Sequence, residues 1–168
     1  MEAVMAVNVA FFLLPKAEVV WLSPRNTLRQ ALERMEYHRY TAVPLVDEEG
    51  RYAGTLTEGD LLWFIKRTPG FTFDQAERIL VRDVPRRLRN EAVSIRADVR
   101  DLVRLAAVQS FVPVVDDRGL FIGIVRRREI IEYCARLLFD AGPGAGHAEG
   151  PAPDGEGDPR PGGRSAGG

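Results

Sequence analysis

Two short stretches of the sequence carry residues suited to binding an anion. The first, GTLTEGD at residues 54–60, places Thr57 three positions before Asp60. A hydroxyl and free backbone N–H groups at a helix start can hold a phosphate, and a carboxylate can accept hydrogen bonds from a ribose diol. The same residues also suit a structural role, with Thr57 as the helix N-cap and Asp60 as a favourable first-turn charge. The stretch alone leaves nucleotide binding and helix capping both open.

The second stretch, GIVRRREI at residues 123–130, contains three consecutive arginines, Arg126, Arg127 and Arg128. The chain has 21 arginines and two lysines, so such a run is weak evidence by itself. Its position before a predicted helix is more informative, because three cations there oppose the helix dipole unless an anion is bound. Guanidinium groups can bind phosphate bidentately. We favour phosphate binding, and a solvated surface is the alternative.

Both stretches occupy the same register of an internal repeat. Residues 41–65 align without a gap over residues 110–134, at an offset of 69. The identical pairs are Val43/Val112, Pro44/Pro113, Val46/Val115, Asp47/Asp116, Gly50/Gly119 and Gly54/Gly123. Two copies are too few for a solenoid, so the repeat predicts two half-modules that face each other across a pseudo-twofold axis.

Hydrophobic patterns predict the order β-α-β-β-α in each copy, and hence an α/β (α+β) fold. The predicted strands cover residues 19–22, 42–46, 52–56, 92–95, 112–115 and 121–125. The predicted helices begin at Leu28, near Leu61, at Val99 and near Arg127. Each of the two candidate anion-binding stretches lies where a predicted strand passes into a predicted helix. The second helix of each copy therefore determines where its stretch is placed.

The two ends of the chain differ in composition. Residues 3–14 are apolar except for Asn8. They are too short to span a bilayer and lack the basic start of a signal peptide, so we expect a short packed helix and a cytoplasmic location. Residues 141–168 contain ten of the sixteen glycines and none of the large apolar residues, which predicts disorder. The expected units are a helix at 1–14, motif one at 15–66, a connector at 67–90, motif two at 91–139 and a disordered tail at 140–168.

Composition argues against several functions. The net charge of −1 provides no overall field for nucleic acid. Cys134 is the single cysteine, and neither histidine has companions at metal-ligand spacing. No catalytic Ser/His/Asp or Cys/His arrangement is present, so we expect no enzyme activity, no metal and no cofactor. The connector cluster of Arg86, Arg87 and Arg89 is interpreted as exposed charge, with a partner-protein contact as the alternative.

With these features, the chain resembles a tandem CBS-domain, or Bateman, module over about residues 15–138. The carriers are the paired VPLVD and VPVVD strands, the Asp-x-x-Gly turns, and GTLTEGD, which matches the family's glycine, two hydrophobic residues, Thr or Ser, and Asp three positions later. The resemblance implies two CBS motifs packed by pseudo-twofold symmetry and a disc-like homodimer. In such modules, Thr57 and Asp60 would bind the phosphate and ribose of an adenine nucleotide.

A narrower resemblance concerns the ligand. The stretches LLPKAEVVWLSPRNTLRQAL, YTAVPLVD, RDVPR and GIVRRREII are similar to those of small stand-alone CBS proteins of Gram-positive bacteria that bind cyclic di-AMP. In that group, consecutive arginines after the last strand contact the ligand's phosphates. Arg127 and Arg128 best match this pair by position, and Arg126 replaces a usual threonine.

The same resemblance implies the rest of the site. Tyr40, Thr41, Ala42 and Val20 would line the adenine pocket. Glu18 stands where that group commonly has a lysine.

The implied function is that of a non-catalytic receptor for cyclic di-AMP. Binding would change the affinity for a partner protein, which the resemblance suggests is a stringent-response synthetase or a metabolic enzyme. Neither nucleic acid nor a membrane is an expected partner. Two alternatives stay open: an AMP or ATP sensor that uses Thr57 and Asp60, and a dimerisation or interaction module without a ligand.

Overall fold

The computed structural model describes residues 7–140. The predictions for residues 1–6 and for the tail from residue 141 lie outside the described residues. Within the described range, the α-helices are α1 (Leu28–His38), α2 (Glu58–Arg67), α3 (Val99–Ala106) and α4 (Arg127–Asp140). The strands are β1 (Leu14–Pro15), β2 (Ala42–Val46), β3 (Tyr52–Thr57), β4 (Val93–Ser94), β5 (Phe111–Val115) and β6 (Phe121–Arg126). The predicted α/β fold with two repeats is confirmed.

The first strand of copy one is shorter than predicted. Of residues 19–22, only Leu22 pairs, donating its N–H to the Pro44 carbonyl at 3.0 Å and accepting the Val46 N–H at 2.9 Å. The Val19 N–H instead turns back to the Lys16 carbonyl, which closes the 3-10 helix Lys16–Glu18. The strand is therefore limited by the turn before it.

The N-terminal segment also differs from the predicted helix over 1–14. Its described part forms the 3-10 helix Val9–Phe12, in which the Asn8 side chain accepts the Phe11 N–H. The chain then extends as β1, which pairs with β6 in the second half. The four-residue 3-10 helix and the extended segment after it satisfy the backbone hydrogen bonds there, so a longer helix does not form.

Each half takes part of its core from the segment that precedes the other half. Val9 and Phe12 pack in the second half, in a cluster with Leu102, Val112 and Val125. In the first half, the connector supplies buried residues to the cluster around Leu22, Leu28 and Leu56; these are Ala76, Val81 and Val84. The strand β1 of the N-terminal segment accordingly belongs to the sheet of the second half, whose order is β1-β6-β5-β4. The first half has the two-stranded sheet β2-β3.

The two hairpins meet at a pseudo-twofold axis. An isolated antiparallel bridge joins Arg51 to Leu120, and these residues are equivalent at the repeat offset of 69. Beside it, the Phe121 N–H donates to the Gly50 carbonyl at 2.8 Å. A buried cluster seals the contact between the halves; it contains Val46, Phe111, Phe121 and Ile124.

One glycine permits the N-terminal strand to reach the second half. A Cβ at Gly123 would lie 2.1 Å from the Leu14 carbonyl oxygen, well inside van der Waals contact. The obstruction is backbone, which cannot rotate away as a flexible side chain can. Gly123 is therefore required for the pairing of β1 with β6.

We predict that Gly123→Ala lowers the free energy of unfolding by about 2–3 kcal/mol, because the added methyl group must push β1 off β6. Gly59→Ala is the matched control, since its Cβ would lie 3.7 Å from the nearest atom and Ala suits the helix α2. Urea unfolding followed by circular dichroism measures the free energy of unfolding of both variants. Equal stability of the two variants would contradict the prediction.

Candidate functional site

Thr57 and Asp60 form a closed capping box at the start of α2. The Asp60 N–H donates to Thr57 Oγ1 at 3.1 Å, and Asp60 Oδ2 accepts from the Thr57 N–H at 3.0 Å and from Oγ1 at 2.8 Å. The second carboxylate oxygen, Oδ1, accepts the Arg87 N–H at 2.9 Å. The Asp60 residue is only 3% exposed. The pair therefore caps the helix and ties the connector to it.

A cavity of about 330 Å³ lies between the halves. The first half contributes the chain from Glu18 to Val20 and the start of β2, and the second half contributes the start of β5 and the end of β6. Equivalent hydrogen bonds hold the strand starts in place: the Glu58 N–H donates to the Thr41 carbonyl at 2.9 Å, and the Arg127 N–H donates to the Ser110 carbonyl at 3.0 Å. Both halves are thus needed to form the walls.

Six of the nine residues that sequence analysis proposed for ligand binding line this cavity. They are Val20, Tyr40, Thr41, Ala42, Arg126 and Arg128. The other three, Thr57, Asp60 and Arg127, are not among its lining residues. The structure thus brings the proposed adenine pocket together with two arginines. Thr57 is the cross-strand partner of Ala42 beside this cavity, but Thr57 and Asp60 do not line it.

The arginine triplet divides where the strand becomes a helix. Arg126 ends β6 and Arg128 lies in the first turn of α4, and both side chains border the cavity. Arg127 lies between them, and its Nε donates to the Gln109 carbonyl at 3.0 Å. Of the pair that best matched by position, only Arg128 reaches the cavity, and Arg126 is its companion there.

Both cavity arginines have carboxylate partners. Arg126 pairs with Glu129 and Arg128 with Glu132, each at 2.6 Å. The hydrogen bond that Arg128 donates to Glu132 raises the pKa of Arg128 and lowers the pKa of the Glu132 carboxyl. The Arg128 side chain is 82% exposed, so its ion pair contributes little stability and a phosphate can compete for the guanidinium.

The cavity combines an apolar floor with a mainly cationic rim. Phe111 and Ile124 are buried beneath it. Its charged residues are Glu18, Arg39, Arg126 and Arg128. Sequence analysis missed Arg39, because its place on the rim depends on how α1 ends. Such a surface suits a molecule with a flat apolar part and a negatively charged part.

A second cavity of about 500 Å³ lies beside β3 and the connector. Arg86 lies against Gly54 there, as Leu14 lies against the equivalent Gly123. The Tyr52 hydroxyl hydrogen-bonds Thr55 Oγ1 at 2.8 Å and donates to the Asn90 carbonyl at 3.1 Å, while burial raises the Tyr52 pKa. The lining is thus polar and basic, unlike that of the first cavity.

Within residues 7–140, no group of three or more His, Cys, Asp or Glu side chains is arranged to hold a metal ion. In the same range, none of the helices combines the length and the apolar character needed to cross a membrane.

Comparison with known sequences identifies the repeat. The profile of the family described as CBS domain matches residues 13–67 and residues 81–136. Homoserine O-acetyltransferase of Methanohalophilus mahii is 32% identical over 99 residues, or 59% of this chain. Inosine-5'-monophosphate dehydrogenase of Methanocaldococcus jannaschii is 25% identical over 119 residues, or 68% of this chain. The matched parts amount to 19% and 21% of those proteins, so the chain spans about a fifth of either relative.

Solved structures share the fold. CbpB in complex with c-di-AMP gives a TM-score of 0.71 at 20% identity, covering 83% of this chain and 91% of that chain. Listeria monocytogenes CbpB in complex with c-di-AMP gives 0.68 at 24% identity, covering 78% and 97%. CBSX2 in complex with AMP gives 0.64 at 21% identity, covering 79% and 99%. At these identities the likeness establishes the fold, and the predicted tandem arrangement is confirmed.

We predict that Asp60→Ala lowers the free energy of unfolding by about 1–3 kcal/mol, because it removes the helix cap and leaves the partly buried Arg87 N–H without its acceptor. Asp101→Ala is the matched control, an exposed first-turn carboxylate on α3 whose loss costs about 0.5 kcal/mol. Denaturant unfolding of both variants tests this. An equal loss of free energy of unfolding in the two variants would contradict the prediction.

Proposed function

Because the chain belongs to the CBS-domain family, we propose that it is a regulatory module that binds an adenine nucleotide, and specifically cyclic di-AMP. The observation that carries this proposal is the cavity between the halves, where two arginines border an apolar floor. Structures of CbpB with c-di-AMP and of CBSX2 with AMP, which share the fold, support the ligand class.

The cavity can accommodate both parts of such a ligand. An adenine can lie against Val20, Ala42 and Ile124, which present apolar surface. The phosphates then face Arg126 and Arg128, at the N-terminus of α4. Guanidinium groups and the positive end of a helix both favour an anion there.

An AMP or ATP sensor is the alternative within the same ligand class, and the intact signature of Thr57 and Asp60 favours it. In the structure, however, both Asp60 oxygens already accept hydrogen bonds, one of them from the connector. A ribose at Asp60 would have to displace the Arg87 N–H. A phosphate at Arg126 and Arg128 would displace only their ion pairs with Glu129 and Glu132, which is why we prefer this cavity.

We propose that ligand binding regulates a partner protein. A ligand in the cavity contacts both halves, so it favours arrangements in which the halves are held together. Both curated relatives are enzymes, and the region that matches this chain is about a fifth of each. The match to a part of an enzyme supports a metabolic enzyme as the partner. A stringent-response synthetase is the other candidate. The chain itself is proposed to be non-catalytic.

Titration calorimetry with cyclic di-AMP, ATP, AMP and cyclic di-GMP tests the ligand. We expect cyclic di-AMP to bind with micromolar or tighter affinity, and Arg128→Ala or Arg126→Ala to weaken it at least about tenfold through loss of a charge-assisted hydrogen bond. Arg118→Ala is the control, because Arg118 is exposed and lies in the turn between β5 and β6, outside the cavity.

The other outcomes separate the alternatives. AMP or ATP binding that survives Arg128→Ala but is lost in Asp60→Ala would support the energy sensor. No binding of any of the four nucleotides would support an interaction module without a ligand.

We also propose a homodimer formed through the helices. Leu62 on α2 and Ile131 on α4 are equivalent at the repeat offset, and each is 58% exposed. Leu62 borders an apolar groove between α1 and α2 together with Leu32 and Ile65. Large apolar side chains repeated at equivalent exposed positions are typical of an interaction surface.

The double variant Leu62→Glu, Ile131→Glu is expected to elute as a monomer, because it places charges in this apolar surface. The unchanged protein is expected to have the mass of two chains by size-exclusion chromatography with light scattering. Leu88→Glu is the control, since Leu88 is 69% exposed in the connector, away from the helices. A double variant that remains dimeric would contradict this interface.

A further inference from the structure

The helix α1 ends in an unusual conformation at the cavity. Arg39 has φ 55° and ψ 39°, and among the described residues it is the only non-glycine with a positive φ. Its N–H bonds the Glu36 carbonyl at 3.1 Å, and the Tyr40 N–H bonds the Met35 carbonyl at 3.0 Å. This is a Schellman motif, in which the left-handed position is most often glycine because a Cβ there is unfavourable.

The fold does not require a left-handed arginine at this point. In the second half, Val108 occupies the position equivalent to Arg39 and has no positive φ. There α3 ends at Ala107 with φ −64° and ψ −30°, and the chain still enters β5 correctly. The arginine in the first half therefore has an unfavourable backbone that its counterpart avoids, and glycine would be the easier residue there.

Arg39 lines the cavity that Arg126 and Arg128 also border, and it lies at the end of the groove between α1 and α2 as well. It differs from them in its partners. Arg126 and Arg128 each pair with a glutamate, whereas no carboxylate among the described side chains of residues 7–139 forms a salt bridge with Arg39. Its guanidinium is exposed and can contact an anion without first breaking an ion pair.

We propose that Arg39 is a ligand-binding residue, the third cation of the cavity, and that it is present for the ligand and not for the fold. This inference rests on the proposed function, because it assumes a nucleotide phosphate between the halves. The first half then supplies a phosphate contact to a site whose other two cations come from the second half. A bound phosphate is held from both sides, which links ligand binding to the contact between the halves.

The test combines stability with affinity, since a structural role and a ligand role predict opposite results for Arg39→Gly. Glycine relieves the left-handed backbone, so the melting temperature of the nucleotide-free variant is expected to stay the same or rise by about 2–4 °C. Its affinity for cyclic di-AMP is expected to fall at least about fivefold, because one charge-assisted contact is lost. Arg39→Lys, which keeps the charge, is expected to recover part of that affinity, and Arg118→Ala is the control for loss of a surface arginine.

The inference is overturned if Arg39→Gly binds cyclic di-AMP as tightly as the unchanged protein, or if the substitution mainly lowers the melting temperature. Either result leaves the proposed function intact, because the unchanged protein still binds. If the unchanged protein binds none of the nucleotides, the proposed function and this inference both fail.

Discussion

The buried contact between the two hairpins is the interaction on which the rest of the molecule depends. Phe111 and Ile124 belong both to the cluster that seals the halves together and to the lining of the cavity. The packing that holds the halves together is therefore also the floor of the site. Neither half has a complete site alone, because the start of β2 and the end of β6 reach the same cavity from opposite sides of the axis.

The same strand-to-helix junction has been built twice with different chemistry. At α2, a threonine and a buried aspartate satisfy each other, and the connector backbone completes the bonding. At α4, arginines replace the threonine and its neighbours, and their ion pairs lie in solvent. Buried hydrogen bonds are costly to break, while exposed ion pairs exchange readily. The first junction is suited to holding the fold together and the second to exchanging partners.

Most of the fold could be predicted from the sequence, because the repeat and the hydrophobic patterns are local. The strands at 42–46 and 121–126, and the helix that begins at Leu28, lie within a residue of the predictions. The pairing of Leu14 with Ile124 could not be predicted, since it joins segments far apart in the chain. The hydrogen bond from the Arg87 N–H to Asp60 could not be predicted for the same reason.

The candidate site was predictable in its composition and less so in its geometry. The stretch from Tyr40 to Ala42 lines the cavity between the halves, and its role as an adenine pocket stays a prediction. Which arginines reach it depends on the turn between β6 and α4, and a run of identical residues contains no signal for that. The position of Arg39 beside the cavity could not be predicted from the sequence, because it follows from a left-handed backbone at the end of α1.

The exchange of segments between the halves determines the order in which the protein can be completed during synthesis. The first core contains residues from Leu22 to Val84, so it can close while the second copy is still being made. The second core needs Val9 and Phe12, which are made before the first half, together with Val125 and Ile130, which are made after it. Val9 and Phe12 must therefore wait until both halves have been made before their partners exist, and during that time they need protection from other hydrophobic surfaces.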